Sequence, residues 1–405
     1  MLRPALFFRQ ASNGRRQSLW GALARGVALP LLALTLVSCG PRNTAQKVPT
    51  LPLQASSTPV LTPVSTGANQ VTSQVDALFT NLVAQQQFSG SMLIAQDGQV
   101  LLDKGYSIAN WQTNTANTPQ TRFYLGSVTK EFTAMATLLL QQRGKLGVQN
   151  SICAYVTPCP PPWQPVTLSD VLTHTSGIPE LDTSQLSGAS PAAWIASFDD
   201  DDLNFTPGSQ FDYCSTCYQI LAYVVQQVAG VPYTQFVQQN ILAPLQMTES
   251  GFDSDFYYAQ SNAANGYAGW QESAEQLGWG DPNTSWSFLD GSGLLYSTVD
   301  DLYRWDQALY TTELFSQQTL NEAFTSYTSS SLFAGSTYGY GWFIAPSPVA
   351  GHRLIWHDGV IDGFRAYIGR YIDDHVTIIF LSNLATVDSP TLAQQVQGIV
   401  FAPQA

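Results

Sequence analysis

Phe123-Tyr124-Leu125-Gly126-Ser127-Val128-Thr129-Lys130-Glu131-Phe132-Thr133-Ala134-Met135-Ala136-Thr137-Leu138-Leu139-Leu140 is the stretch on which the fold turns. After Gly126 its apolar residues recur at helical spacing, and nothing that breaks a helix occurs before Gly144. The spacing predicts a buried helix carrying Ser127 and Lys130 one turn apart, on one face of its N-terminal end. A serine hydroxyl becomes a nucleophile when a base takes its proton, and a lysine is such a base only when held neutral. Burial disfavours the ammonium form, and the positive end of the helix favours charge developing on the serine oxygen. Ser-x-x-Lys by itself also describes many solvated helix faces. Here it falls in an apolar helix of a chain with four lysines, Lys47, Lys104, Lys130 and Lys145, and that context favours chemistry.

Around this helix the chain has room for a large core. It has 405 residues, 44% of them hydrophobic, enough for a two-lobed body. Only 11% are charged and the formal net charge is -13, so the basic patch that a nucleic-acid partner needs is missing. The densest acidic run, Asp199 to Asp202, reads as a solvated turn, because it lacks the spaced oxygen ligands of a calcium loop. No metal and no cofactor is expected: His174, His352, His357 and His375 show no ligand-pair spacing.

Residues 1–39 read as an export signal. Arg3, Arg9, Arg15, Arg16 and Arg25 precede an apolar run, Gly26 to Val37, too short to span a bilayer. The run ends in Leu36-Val37-Ser38-Cys39-Gly40, which is similar to the bacterial lipobox, with Cys39 as the lipidated residue. The expected location is therefore the outside of a bacterial membrane, held there by the N-terminal lipid; an ordinary secretory signal is the alternative. Residues 40–70, rich in Pro, Ser and Thr, cannot pack a core and read as a disordered tether.

The folded part is expected from Val71. Apolar spacing at Val75, Leu78, Phe79 and Leu82 predicts a helix over 71–87. Ser91–Ala95 and Val100–Tyr106 read as strands around an Asp97-Gly98 turn. Late in the chain Tyr338–Ile344, Arg353–Trp356, Arg365–Tyr371 and Val376–Ser382 read as further strands, before a closing helix Leu392–Phe401. These elements predict an α+β fold. Its central antiparallel sheet comes from both chain ends (about 71–122 and 335–402), with a mainly helical lobe (about 123–334) laid against it. Thr298 caps a helix of that lobe. The Trp-rich stretch 257–288, with Trp270, Trp279 and Trp286, either lines a substrate mouth or pins a long loop.

Four cysteines remain in the mature chain. Export favours oxidation, so Cys153 and Cys159 are expected to close a short loop. Cys214-Ser215-Thr216-Cys217 reads as a local disulfide or as two buried thiols, and sequence leaves three connectivities open. His174, in Leu172-Thr173-His174-Thr175-Ser176-Gly177-Ile178, is either a general base or a loop tie; its Thr, Ser and Gly surroundings favour the tie. Tyr213 follows Pro207-Gly208 and precedes an apolar helix over Gln219–Val228.

In this order the motifs are recognisable. The chain resembles the serine beta-lactamase-related hydrolases, the penicillin-recognising group of class C beta-lactamases, D,D-carboxypeptidases, D-aminopeptidases and related esterases. Ser127-Val128-Thr129-Lys130 is similar to the family's Ser-x-x-Lys, and Leu172 to Ile178 to its Leu-Thr-His-Thr-Ser-Gly loop. Tyr213-Cys214-Ser215 stands at its Tyr-x-Asn and Trp356-His357-Asp358-Gly359 at its third motif, and the resemblance runs from about Val71 to Ala402. It implies that Ser127 attacks a carbonyl while Lys130 and Tyr213 shuttle the proton. It also implies an oxyanion hole made by the backbone N–H groups of Ser127 and Val360, with Ser215, His357 and Gly359 against the substrate. Two departures lean toward a peptidase or esterase over an efficient beta-lactamase. Ser215 replaces an asparagine with a shorter, single-donor hydroxyl, and His357 lacks the fixed charge of the lactamases' lysine.

The expected substrate is thus a small molecule or peptide, such as a D-amino-acid peptide, an ester or a beta-lactam. The rival reading is a catalytically silent penicillin-binding-like lipoprotein that binds peptidoglycan or a partner. No Gly-x-Ser-x-Gly elbow occurs, which disfavours an α/β-hydrolase.

Overall fold

Eight strands form one antiparallel sheet whose members come from the two ends of the folded chain. The computed structural model describes residues 66–181, 191–198, 203–252, 261–273, 290–346 and 351–402. The expected signal with Cys39, the tether up to residue 65, the Asp199–Asp202 run, Trp279 and Trp286 lie outside these residues. The sheet strands are β1 (Gly90–Gln96), β2 (Gln99–Tyr106), β3 (Thr328–Ser329), β4 (Thr337–Tyr338), β5 (Phe343–Pro346), β6 (Arg353–Ile361), β7 (Phe364–Tyr371) and β8 (Val376–Ser382). Their order is β2-β1-β8-β7-β6-β5-β4-β3, so the first hairpin joins the last strand through the β1–β8 pairing, Gly90 opposite Ser382.

Both faces of this sheet are covered, and the strand period of two sorts the side chains between them. Leu93, Ile368, Ile379 and Leu381 face the helical lobe, where they meet α2 (Thr129–Gln142) and α4 (Ser215–Ala229) through Phe132, Met135, Leu221 and Val224. Between these two helices in the chain lies the short α3 (Leu168–Leu172). Met92, Ile94, Ile378 and Phe380 point the other way, onto α1 (Thr66–Ala84) and the closing α6 (Ser389–Val400). β8 is consequently buried along its whole length, as expected of a central strand covered twice. On the helical side α5 (Val299–Ala308) begins at Thr298, whose hydroxyl accepts the Asp301 N–H at 3.1 Å. The expected cap is present.

Several boundaries differ from expectation, among them the closing helix, which starts at Ser389, and α4, which starts at Ser215. α1 begins at Thr66, so residues 66–70, read as tether, are helical. Tyr338–Ile344 is a hairpin and not one strand: Gly341 has a positive φ of 85°, and the Gly339 N–H donates to the Trp342 carbonyl at 2.8 Å. The aromatic residues Tyr340 and Trp342 imitate strand alternation across that turn. β6 runs on to Ile361 and so carries His357, Asp358 and Gly359 along a strand. Trp270 packs edge-on to Trp111 at 5.2 Å, which supports the pinning role for its part of the loop.

Candidate active site

Gly126–Val128 forms a single 3₁₀ turn that runs straight into α2, placing Ser127 partly exposed at the front of the helix. Lys130, one turn on, is 0% exposed. Its Nζ lies 3.0 Å from Ser127 Oγ and donates to the Ser292 carbonyl at 3.0 Å. A carbonyl only accepts, so one N–H is committed to Ser292, and a neutral amine keeps its lone pair for the serine hydroxyl. Burial pushes the Lys130 ammonium down to about 7, against the opposing pull of Glu180 and then Asp358. A group poised there changes protonation state near neutral pH.

Tyr213 comes from the irregular segment before α4. Its ring centre is 5.0 Å from Lys130 Nζ, with the Ser127 hydroxyl nearby. Burial raises this phenol well above its usual range and the neighbouring Ser127 works against that rise, so the group keeps its proton.

His174 is 0% exposed, with a positive φ of 59°. Its carbonyl accepts the Asp212 N–H at 2.8 Å and its Nδ1 accepts the Cys214 N–H at 3.0 Å. An accepting Nδ1 places the ring proton on Nε2 and makes the ring neutral. Burial first, then Lys130 and His357, pushes its pKa well below the ordinary value. The loop-tie reading accounts for these bonds.

His357 is 1% exposed and has no free ring nitrogen. Nδ1 lies 2.6 Å from the Asp358 carbonyl and must donate to it, which leaves Nε2 to accept from the Tyr338 hydroxyl at 3.1 Å. Burial holds its pKa down to about 3, so it brings no positive charge to a substrate carboxylate. The charged groups felt by Lys130 are instead carboxylates. Asp358 is raised to about 6 by burial. Glu180 accepts the Thr216 N–H at 3.1 Å at the start of α4, beside Ser215, and burial raises it too.

Two glycines let β6 approach the serine turn. A side chain at Gly359 would run into the Leu125 carbonyl and come within 3.2 Å of Ser127 N. A side chain at Gly126, where φ is +53°, would come within 2.7 Å of Val360 N. The backbone amides of Ser127 and Val360 thus lie on two segments in direct contact, with Val360 itself 59% exposed at the rim.

Sequence reasoning named Ser127, Lys130, Tyr213, Ser215, His357, Gly359 and Val360: Ser127, Lys130 and Tyr213 come together, β6 brings Gly359 and Val360 against the serine turn, His357 lies on the same strand, and Ser215 starts α4 beside Glu180. It missed Glu180, Ser292, Tyr338 and the charge of Asp358. Asp358 was inside a quoted motif, and Glu180 follows the Leu-Thr-His-Thr-Ser-Gly loop by three residues. Cys153–Cys159 and Cys214–Cys217 are both closed disulfides.

The fold and the motifs both have known counterparts. The family model described as Beta-lactamase matches residues 75–399. The Bacillus subtilis (strain 168) protein named "Putative penicillin-binding protein PbpX" is 32% identical over 308 residues, 75% of this chain and 73% of its own. An octameric penicillin-binding protein homologue from Pyrococcus abyssi superimposes with a TM-score of 0.70 at 25% identity, over 81% of this chain and 77% of its own. A penicillin-binding protein from Bacillus halodurans shares the fold, with a TM-score of 0.67 at 22% identity over 79% of this chain and 99% of its own. The α+β architecture, the order of the motifs and these matches agree: the chain belongs to the beta-lactamase family, a family of serine hydrolases.

Proposed function

We propose that this chain hydrolyses an amide or ester through an acyl-enzyme at Ser127, with D-amino-acid peptides, esters and beta-lactam-like compounds as the candidate substrates. The observation that carries the reading is the Ser127 Oγ to Lys130 Nζ distance of 3.0 Å at a lysine that burial holds near neutrality. Ser127 Oγ bonds to the carbonyl carbon as its proton passes to neutral Lys130. The oxyanion is met by the N–H groups of Ser127 and Val360; a donor of this kind is worth about 3 kcal/mol in other hydrolases. Lys130, through the Tyr213 phenol, returns the proton to the departing nitrogen or oxygen as the carbonyl re-forms. Water then cleaves the Ser127 ester by the same relay.

A peptidase or esterase is favoured over an efficient beta-lactamase by two features. His357 is neutral with both nitrogens engaged, and the charges around Lys130 are the carboxylates Glu180 and Asp358. The Leu36-Val37-Ser38-Cys39 order supports a mature protein anchored through a lipid on Cys39; Cys39→Ser should release it from membranes.

A fluorophosphonate or a penicillin probe tests the acyl-enzyme. Labelling is expected at Ser127 and should vanish in Ser127→Ala. Equal labelling of the variant overturns the assignment, and ligand binding without turnover of esters or D-amino-acid amides favours the silent, peptidoglycan-binding alternative that Ser215 invites.

A further inference from the structure

Tyr213 can relay a proton only if its hydroxyl is held at Ser127, yet it belongs to a segment without regular structure. Its neighbours in the chain hold it. Cys214, the next residue, is the N-cap of α4: its Sγ accepts the Cys217 N–H at 3.0 Å while also bonded to Cys217 Sγ. Cys217 Sγ meets the Ser176 hydroxyl at 3.2 Å, and the Cys214 N–H is the donor to His174 Nδ1. The His174 ring lies 4.3 Å from the Tyr213 ring, tilted by 32°. Tyr213 is therefore joined through its backbone to the covalent ring and packed through its side chain against the imidazole.

We infer that the Cys214–Cys217 disulfide, with His174, is the positioning device for the Tyr213 phenol, so that proton delivery to the leaving group depends on an oxidised Cys-x-x-Cys. This rests on the acyl-enzyme reading above. Both cysteines are buried, at 4% and 0% exposure, and the disulfide ties the first turn of α4 to the residue that follows the phenol in the chain. Cys214 is the residue between Tyr213 and Ser215.

The experiment uses Cys214→Ser/Cys217→Ser in the full chain. Serine is itself a good N-cap, so the helix keeps its cap and loses only the covalent link. Two substrates with one acyl group separate the roles: a p-nitrophenyl ester, whose leaving group departs without a proton, and the matching amide, whose nitrogen needs one. The amide kcat should fall by about a hundred-fold, the scale of a 1 Å misplacement, with KM little changed and the burst rate of p-nitrophenolate release, which reports acylation of the ester alone, much less affected. Cys153→Ser/Cys159→Ser should leave the amide-to-ester ratio at the parent value. Equal losses on both substrates, or an unaltered amide kcat, overturn the inference. So does a matching ratio change in the Cys153/Cys159 variant. If Ser127→Ala turns over substrate as fast as the parent, or the parent turns over neither, it is the acyl-enzyme reading that falls, and this inference with it.

Discussion

Two buried polar centres adjoin α2, entered by consecutive residues, and they are built by opposite rules. Lys130 points to the serine. Its amine has two bonding contacts, Ser127 and Ser292, and, among the described residues, no carboxylate within hydrogen-bonding distance. Glu131, also 0% exposed, turns toward the sheet and accepts the Trp305 indole N–H at 3.0 Å. Beyond it Arg370 Nε donates to Asp306 Oδ1 at 2.5 Å and Nη2 to the Asp306 carbonyl at 3.2 Å. Thr377 and Gln307 donate to Oδ2 at 2.6 and 2.9 Å. The Arg370 cation also lies 4.7 Å over the Tyr310 ring. A charge removed from water is tolerable when paired and fully hydrogen-bonded, and is otherwise driven to its neutral form. The Asp306–Arg370 centre takes the first course, paired and hydrogen-bonded at every arginine nitrogen but Nη1, and secures the lobe to β7 and β8. The Lys130 centre takes the second, and the neutral amine that results is the reactive one.

The sharpest way to break this contrast is Lys130→Met. Activity should fall by about a thousand-fold or more, the range of a lost general base, while stability at neutral pH rises because a desolvated amine is gone. Loss of stability in that variant would show that the amine is structural after all. Asp306→Ala should do the reverse: a cost of about 3–5 kcal/mol in urea unfolding, because Arg370 is left buried without its partner, and unchanged kcat/KM per folded molecule. Lost activity at full stability would merge the two centres into one.

Acid–base behaviour sharpens the comparison further. Lys130 titrates lower in the folded state than when unfolded, so the unfolded chain binds the extra proton. Its contribution to stability should therefore rise with pH from about 7 toward the ordinary lysine range, by about 1.4 kcal/mol per unit. Over the same window kcat/KM should rise through about pH 7 as the amine becomes a base. Burial raises Glu131 well above the usual carboxyl range, so here the folded chain keeps the proton. That stability is present below the ordinary glutamate pKa and is lost as pH climbs through the folded one. Glu131→Gln should flatten the fall and Lys130→Met the rise, in unfolding curves collected across pH. A Glu131→Gln curve parallel to the parent's would mean that Glu131 is ionised in the fold.

The reactive centre was more legible than the ionic one, for a reason of distance along the chain. Ser127 and Lys130 are three residues apart on one helix, so spacing and apolar surroundings nearly define the pair. Tyr213 became legible through the order of motifs, because its neighbours in space are not its neighbours in sequence. Ser292, 162 residues from Lys130, and the Arg370–Asp306 pair, 64 apart, leave no periodic trace. His357 stood inside a recognised motif, but its engagement by Tyr338 is a property of the β4–β5 hairpin, whose turn at residues 339–342 read as continuous strand. The glycines at 339 and 341 were the available signal, masked by the aromatic residues between and beside them.

That hairpin has one more consequence. A side chain on Gly341 would come within 2.8 Å of the Ala134 methyl and 3.0 Å of the Lys130 carbonyl, so the turn is wedged against the helix backbone and fixes its rotation. Successive helical positions point about 100° apart, and the two neighbours on α2 are an amine and a carboxylic acid. One residue lost between Gly126 and Lys130 would swing the acid toward Ser127, and one gained would bury the amine against Trp305. The length of this stretch is fixed as firmly as the identity of Ser127.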